Sequence, residues 1–510
     1  MIHTIAARLL VTLLLLLSAA SAAAGEPIDI GSRRELFVED TLIDRLTGEA
    51  DLRLHHPTPR EVALVHDAPW EGTSSGYHTV FQDGDLYRMY YRGLHIDVTQ
   101  GGISTGRHKP FYCYAESRDG VHWTKPELGI VEFEGSKKNN IILEGRGTHN
   151  FTPFKDDNPN CSPEARYKGL GGIKSEGGLF AFHSADGIHW SLTQDTPVIT
   201  NGAFDSQNLA FWDAVAGEYR AYWRTFSAGV TTKKVWKPAG VRAVRTGTSR
   251  DFLHWSNEAD LTYTDSPDEH LYTNQIKPYA RAPHLKIGIP TRYVDRGWSE
   301  SMKALPERKN RELRASSSKR YGTALTEGVL MASRDGVGFK RWNEAFLRPG
   351  IGRPGSWQYG QQYIAWHLVE TASALPGSPD ELSLYATEGY WHGKGGTLRR
   401  YTLRLDGFVS AHASAKGGEL LTKSLMFAGS ELALNFSTSA VGSVRVEIQH
   451  ADGKPVPGFA LADCPQHFGD ALEQPIVWSS DAELSELAGK PVRLRFVLSD
   501  ADVFAFRFGD

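Results

Sequence analysis

The chain has 510 residues, 40% of them hydrophobic, enough to bury a large core and to form one big domain and a smaller one. Its 56 basic and 60 acidic side chains leave a net charge of −4, which argues against a nucleic-acid partner or an anionic membrane surface. The 13 Trp, 19 Tyr and 23 Phe suit strands and sugar-stacking surfaces alike.

In chain order, Arg8, the apolar stretch Leu9 to Leu17 and the small residues through Ala24 read as a secretory signal peptide over residues 1–24, so the product is expected to be secreted or periplasmic. No cysteine lies at the junction to serve a lipoprotein, and no later apolar run is long enough to span a bilayer, so no membrane anchor is expected. Cys113, Cys161 and Cys464 form at best one disulfide and have no metal-ligand spacing.

The chain then repeats a phrase. Ser117-Arg118-Asp119-Gly120-Val121-His122-Trp123 returns as Ser184-Ala185-Asp186-Gly187-Ile188-His189-Trp190, and looser copies centre on Asp251, Asp335 and Asp406. The intervals of 67, 65, 84 and 71 residues exceed a solenoid coil and suit a four-stranded blade. Asp-Gly between two β-like runs is a tight turn, Gly taking φ > 0 and Asp bonding nearby N–H groups, and the Trp that follows packs between blades. Matched blocks precede the phrase: Tyr87-Arg88-Met89-Tyr90-Tyr91-Arg92 in the first unit and Tyr219-Arg220-Ala221-Tyr222-Trp223-Arg224 in the third. The reading is an all-β chain with a five-bladed β-propeller over residues 25–412, inner strands beginning near Tyr77, Asp156, Asp205, Tyr272 and Gln361. The segment from Asp29 to about Leu64 adds an edge strand or seals the ring. A polar insertion from about Arg296 to Arg320 reads as an exposed, solvated loop. From 413 to 510, period-two alternation such as Val444-Arg445-Val446-Glu447-Ile448 indicates a small antiparallel β-sandwich packed on the propeller.

This architecture resembles the five-bladed glycoside hydrolases of the invertase and levansucrase type and, more loosely, the arabinanase and β-xylosidase type. The resemblance implies an axial funnel with acidic residues on the first three blades: a nucleophile or base, a transition-state stabiliser and a general acid. Phe154-Lys155-Asp156 is similar to the aromatic-Arg-Asp of the invertase pattern, which gives Asp156 the stabiliser role with Asp157 beside it. Asp205, in Phe204-Asp205-Ser206-Gln207, is the candidate acid. Blade one departs from the pattern: Ser75 stands where the nucleophile belongs, and the nearest upstream carboxylates are Asp67 and Glu71. Glu269 on blade four could replace a missing acid. Cleavage of a glycosidic bond passes through an oxocarbenium-like state, so a proton donor and an ionised carboxylate are both required. Asp67 or Glu71, with Asp156, Asp205 and Glu269, is expected to open onto one funnel, and mutual repulsion to raise at least one pKa. His78, His149, Asp157, Gln207, Asn208, His270, Asn274, Trp357, Gln361 and Gln362 are the candidates for holding sugar hydroxyls.

The function expected is that of a secreted glycoside hydrolase acting on a polysaccharide or oligosaccharide. The alternatives are a non-catalytic carbohydrate-binding propeller and a sialidase-like exo-hydrolase, whose Asp box the repeated phrase resembles, although that family carries one more residue between Asp and Gly and six blades. The expected partner is a carbohydrate substrate. No cofactor and no metal ligand set is called for, with room left for a structural ion on the axis.

Overall fold

The computed structural model describes residues 26–232 and 234–510, so the segment expected to be a signal peptide lies outside the described residues. Period-two runs bounded by Gly, Asp and Asn turns form five sheets whose strands follow one another from axis to rim. Blade one is Gly76–Asp83, Leu86–Gly93, Phe111–Ser117 and Ile141–Glu144; blade two is Thr152–Lys155, Tyr167–Gly171, Phe180–Ser184 and Ser191–Leu192. Blade three runs Leu209–Asp213, Glu218–Thr231, Trp236–Ser249, Ser256–Asp260. Blade four has Lys277–Tyr279 inside, then Ala282–Gly288, Ala324–Ser333 and Gly338–Leu347, with Thr262–Thr264 added in parallel at its rim. Blade five comprises Val369–Thr371, Glu381–Glu388 and Thr397–Arg404, and its fourth strand is Thr58–Val65 from the beginning of the chain. The N-terminal segment therefore does seal the ring. A parallel bridge between Thr79 and Trp366 completes it at the axis.

The repeated phrase is the clasp between blades. In the first copy, Ser117 Oγ accepts from Gly120 N at 2.9 Å, and Asp119 Oδ1 accepts from Val121 N and His122 N, each at 2.8 Å. The same bonds recur around Asp186, Asp251 and Asp335. Three of these turns then dock on the second strand of the preceding blade, with the Tyr385 hydroxyl of blade five donating to Gly120 O, the Arg88 guanidinium of blade one to Asp186 O and the Tyr222 hydroxyl of blade three to Gly336 O, while Phe252 of the Asp251 turn packs edge-on against Phe154 of blade two.

The fifth copy is not equivalent. Blade five takes its fourth strand from the N-terminus, so the chain leaves the ring at Asp406 and runs on into the long strand Val409–Thr422. Asp406 is fully buried, with φ +65°, and accepts hydrogen bonds from Tyr279 at 2.8 Å and Arg281 at 2.9 Å on blade four and from Asn435 beyond the ring. It is a buried anchor of the exit rather than a rim turn.

The second body is a single eight-stranded sheet, bulged so that its long strands Glu431–His450 and Val492–Gly509 bend round an apolar core. Residues placed with the propeller from the sequence belong here: Ile28–Gly31, Glu35–Leu36 and Ile43–Leu54 pair with Leu425–Phe427, Val492–Gly509 and Val409–Thr422. Phe37, Phe496 and Phe506 sit in one hydrophobic cluster with Leu285 and Leu384 of blades four and five, so the two bodies share a core. The three cysteines are free thiols, with Cys113 and Cys464 buried.

The clasp can be tested with two left-handed glycines. At Gly84, φ is +63° and an added Cβ meets nothing within 4 Å, so Gly84→Ala should cost about 1 kcal/mol of backbone strain. At Gly120, φ is +71° and the Cβ would lie 2.7 Å from Thr371 Cγ2 of the neighbouring blade, so Gly120→Ala should cost about 2–3 kcal/mol. Urea unfolding of both variants reads the difference; equal losses would contradict the clasp.

Candidate axial site

At the crowded axis the backbone carbonyls of neighbouring blades must find donors. Gln207 Nε2 donates to His78 O at 3.1 Å and Gln275 Nε2 to Ile364 O at 2.6 Å, while Gln275 also donates to Gln207 Oε1 at 2.8 Å. This pair links blades one, three, four and five, and Asn150 Nδ2 ties blade two to blade three through Ser206 O at 2.9 Å. Gln207, expected to hold a sugar, is thus part of an axial plug.

On the side where the inner strands begin, the first and second strands of several blades present tyrosine and arginine. Tyr77, Tyr272, Tyr359, Tyr363 and Tyr390 form one aromatic cluster, with Tyr363 stacked on Tyr272 at 5.1 Å and packed edge-on to Tyr390 at 5.5 Å. Arg92 lies 4.6 Å over the Tyr77 ring, Arg224 5.6 Å over Tyr272, and Arg242 5.6 Å over Tyr272. Arg92 and Arg224 lie on the second strands of blades one and three, Arg92 near the end of Leu86–Gly93 and Arg224 midway along Glu218–Thr231.

Asp205 enters this cluster just before the blade-three inner strand. His149 Nε2 lies 3.0 Å from Asp205 Oδ1, and Arg224 Nη2 lies 3.6 Å from Oδ2. Burial would push the carboxyl up, but the His149 hydrogen bond and the charges of Arg224 and Arg92 outweigh it and hold its pKa well below the usual carboxylate range. Asp205 is therefore ionised at neutral pH and cannot be the general acid expected of it. It is ringed by protein yet open to water, with 62% of its side-chain surface accessible. Among the described residues His149 Nδ1 has no hydrogen-bond partner, and 27% of the His149 side-chain surface is accessible. Burial pushes the hydroxyls of Tyr77, Tyr272, Tyr359 and Tyr363 up, so they stay protonated donors.

Of the sequence candidates, the structure brings His149 and Asp205 together here and disperses the other carboxylates. The blade-two inner strand starts at Thr152, so Asp156 follows its far end; it is paired with Lys168 and accepts from Tyr219 at 2.7 Å, and Asp157 is exposed beside it. Glu71 is buried, accepting from Tyr91 at 2.5 Å and Lys125 at 2.7 Å, and the exposed Asp67 shares Lys125 at 2.9 Å. Glu269 lies on the flank of blade four between Arg292 at 3.3 Å and Arg341 at 3.1 Å. Ser75, standing where the resemblance places a nucleophile, donates to Glu71 O at 3.0 Å.

The remaining polar candidates satisfy the backbone or one another. His78 pairs with His66 at 3.0 Å, and burial pushes both rings down so that they are neutral. Asn208 donates to Phe204 O, and Asn274 Oδ1 accepts from Ile276 N. His270 Nδ1 accepts from Arg242 N, Gln361 Oε1 from Trp357 N, and Gln362 donates to Arg348 O. Trp357 donates its indole N–H to Gly350 O.

The insertion expected to be solvated is instead a helical cap, Glu300–Ala304, Arg308–Ser317 and Lys319–Thr323. Arg314 is buried and donates to Tyr359 O at 2.9 Å and Tyr390 O at 3.2 Å, and Arg320 lies 5.8 Å over the Tyr359 ring. The buried residues of the cap's longest helix, Arg308–Ser317, are Arg311 and Arg314 rather than aliphatic ones, so no apolar periodicity announces that helix.

The chain matches no protein-family model and no curated protein. Among solved structures it is similar to a thermostable family-43 glycoside hydrolase, at 14% identity over 68% of this chain and 95% of that one, with a TM-score of 0.39. It is also similar to the catalytic domain of the Coprinopsis cinerea GH62 α-L-arabinofuranosidase, at 7% identity over 68% and 97%, with a TM-score of 0.41. A third similarity is to the Bombyx mori GH32 β-fructofuranosidase BmSUC1, at 10% identity over 89% and 94%, with a TM-score of 0.35. These likenesses concern the fold.

Towards the opposite end, a cavity of about 510 Å³ is lined by Phe81, Tyr87, Lys277, His367 and Leu382. Burial pushes the Lys277 amine down to about 8, the charge of Asp157 opposing, and its Nζ rests 3.2 Å from His367 Nδ1. The unfolded lysine keeps its proton up to about 10.4, so the fold bears a charging cost below pH 8 that is relieved as pH climbs from 8 to 10.4. Lys277→Met should therefore stabilise the protein at pH 7 by about 1–3 kcal/mol. The advantage over wild type should shrink by pH 10, as read by paired urea titrations; a pH-independent difference would contradict it.

Proposed function

We propose that the axial site binds a sugar residue of a glycan and cleaves its glycosidic bond, with His149 and Asp205 as the acid–base pair, and that the protein does so outside the cytoplasm. The observation carrying this reading is a water-accessible carboxylate, hydrogen-bonded to a histidine whose other ring nitrogen is open, set in a tyrosine-lined site at the propeller axis. Tyrosine faces stack on sugar rings, and protonated hydroxyls bond their oxygens. Asp205 fixes the imidazole by its Nε2 and stabilises the imidazolium, so Nδ1 can give a proton to the leaving oxygen or take one from water. The ionised Asp205 also supports the positive charge that grows on the sugar.

One observation favours the second reading, a non-catalytic carbohydrate-binding propeller: Asp67, Glu71, Asp156 and Glu269 are all ion-paired away from the site. The ring has five blades, so the sialidase-like alternative has no support from its blade count.

A panel of plant, algal and microbial glycans, with products resolved by chromatography, separates the two readings. Asp205→Asn should lower turnover about 100-fold or more while the protein still melts cooperatively. Full activity in that variant would refute the assignment, and binding without turnover by wild type would establish the binding reading.

A further inference from the structure

The axial cluster is strongly unbalanced in charge. Arg92, Arg224, Arg242 and Arg320 all lie against its tyrosine rings, and among the described residues the one ion pair any of them makes is that of Arg224 with Asp205, at 3.6 Å. Several buried or half-buried arginines elsewhere are matched with acids, Arg334 with Glu35 and Glu39, Arg292 with Glu327 and Arg400 with Glu61, whereas Arg314 of the cap is held by backbone oxygens and Gln358. The excess is local, since the whole chain carries a net charge of −4. Arg92 and Arg224 are buried, at 3% and 6% exposure, where an unmatched charge is costly.

Some of their donors are also unsatisfied, although Arg92 reaches His149 O, Ser74 O and Tyr390 through its other nitrogens and Arg224 reaches Ala203 O. Arg92 Nε, Arg242 Nε and Arg320 Nη1 are buried without a hydrogen-bond partner, and so is the hydroxyl of Tyr363, itself only 4% exposed. Buried polar atoms normally find partners, so a group of orphan donors around one aromatic surface marks the place of a missing acceptor. Guanidinium forks match the paired oxygens of carboxylate and sulfate, and aromatic faces match a sugar ring.

Resting on the axial glycan reading, we propose that the sugar taken at this site is anionic, its carboxylate or sulfate held by Arg92, Arg224, Arg242 and Arg320. A neutral sugar would leave the guanidiniums uncompensated, whereas an anion satisfies both charge and donors. Arg242 and Arg320 are half-buried and reach the cluster from the third strand of blade three and from the helical cap, so they select the ligand without building the axis.

The test is binding of wild type, Arg242→Gln and Arg320→Gln to an array of uronate oligosaccharides, their carboxyl-reduced neutral counterparts, and sulfated and unsulfated forms of one backbone, with melting curves confirming that each variant is folded. Wild type should bind a uronate or a sulfated arm at least 10-fold more tightly than its matched neutral form, and each variant should lose most of that preference. The arm that binds identifies the anion. Binding confined to neutral glycans, or a preference untouched by both substitutions, overturns this inference and leaves the axial glycan reading standing. No binding in any arm overturns both.

Discussion

A ring of blades stands only if each blade grips the next, and here the grip is one short turn used four times. Ser and Asp bond the turn's own N–H groups, which leaves its carbonyl oxygens facing outward as acceptors for the neighbouring blade's Tyr or Arg. The local hydrogen bonds and the contact between blades are thus one device. At the axis the blades are tied by Gln207, Gln275 and Asn150 together with the parallel Thr79–Trp366 bridge and the Trp366 indole on Ile276 O.

The same geometry divides polar labour along the axis. The plug of Gln207 and Gln275 is neutral and spends its donors on backbone carbonyls. The region beyond it carries arginine, tyrosine, one aspartate and one histidine, which pack on and pair with one another. Burial pushes the Asp205 carboxyl up, but the His149 hydrogen bond and the nearby charges of Arg224 and Arg92 outweigh it and hold the pKa down.

How far the sequence foretold this depends on the range of the interaction involved. The clasp turns are local, so Asp119, Asp186, Asp251 and Asp335 were legible from spacing alone. Asp406 shares their residues but not their surroundings, because the strand that should follow it comes from the far end of the chain. Asp156 was misplaced by one strand length: the triplet Phe154-Lys155-Asp156 ends an inner strand, whereas the site gathers residues at strand beginnings, where His149 and Asp205 lie. Arg92 and Arg224 were visible as matched ends of repeated blocks, but the blocks alone do not say that these arginines meet tyrosines from other blades, which is a long-range contact. The longest helix of the cap escaped notice because the residues it buries are Arg311 and Arg314, which no hydrophobic pattern records.

The strand Thr58–Val65 lies against Thr397–Arg404, and Ile43–Leu54 against Val409–Thr422, so the beginning of the chain is held by what is nearly its end. Both pairings span more than half the chain, and each must close a very long loop before any hydrogen bond rewards it. Blades one to four can form from neighbouring residues as they become available, but the ring stays open until the last blade exists. Until then the free edge of Thr397–Arg404 is a bare template for pairing with another molecule. Folding of this protein is therefore slowest, and most exposed to misassembly, at the seam where its two ends meet.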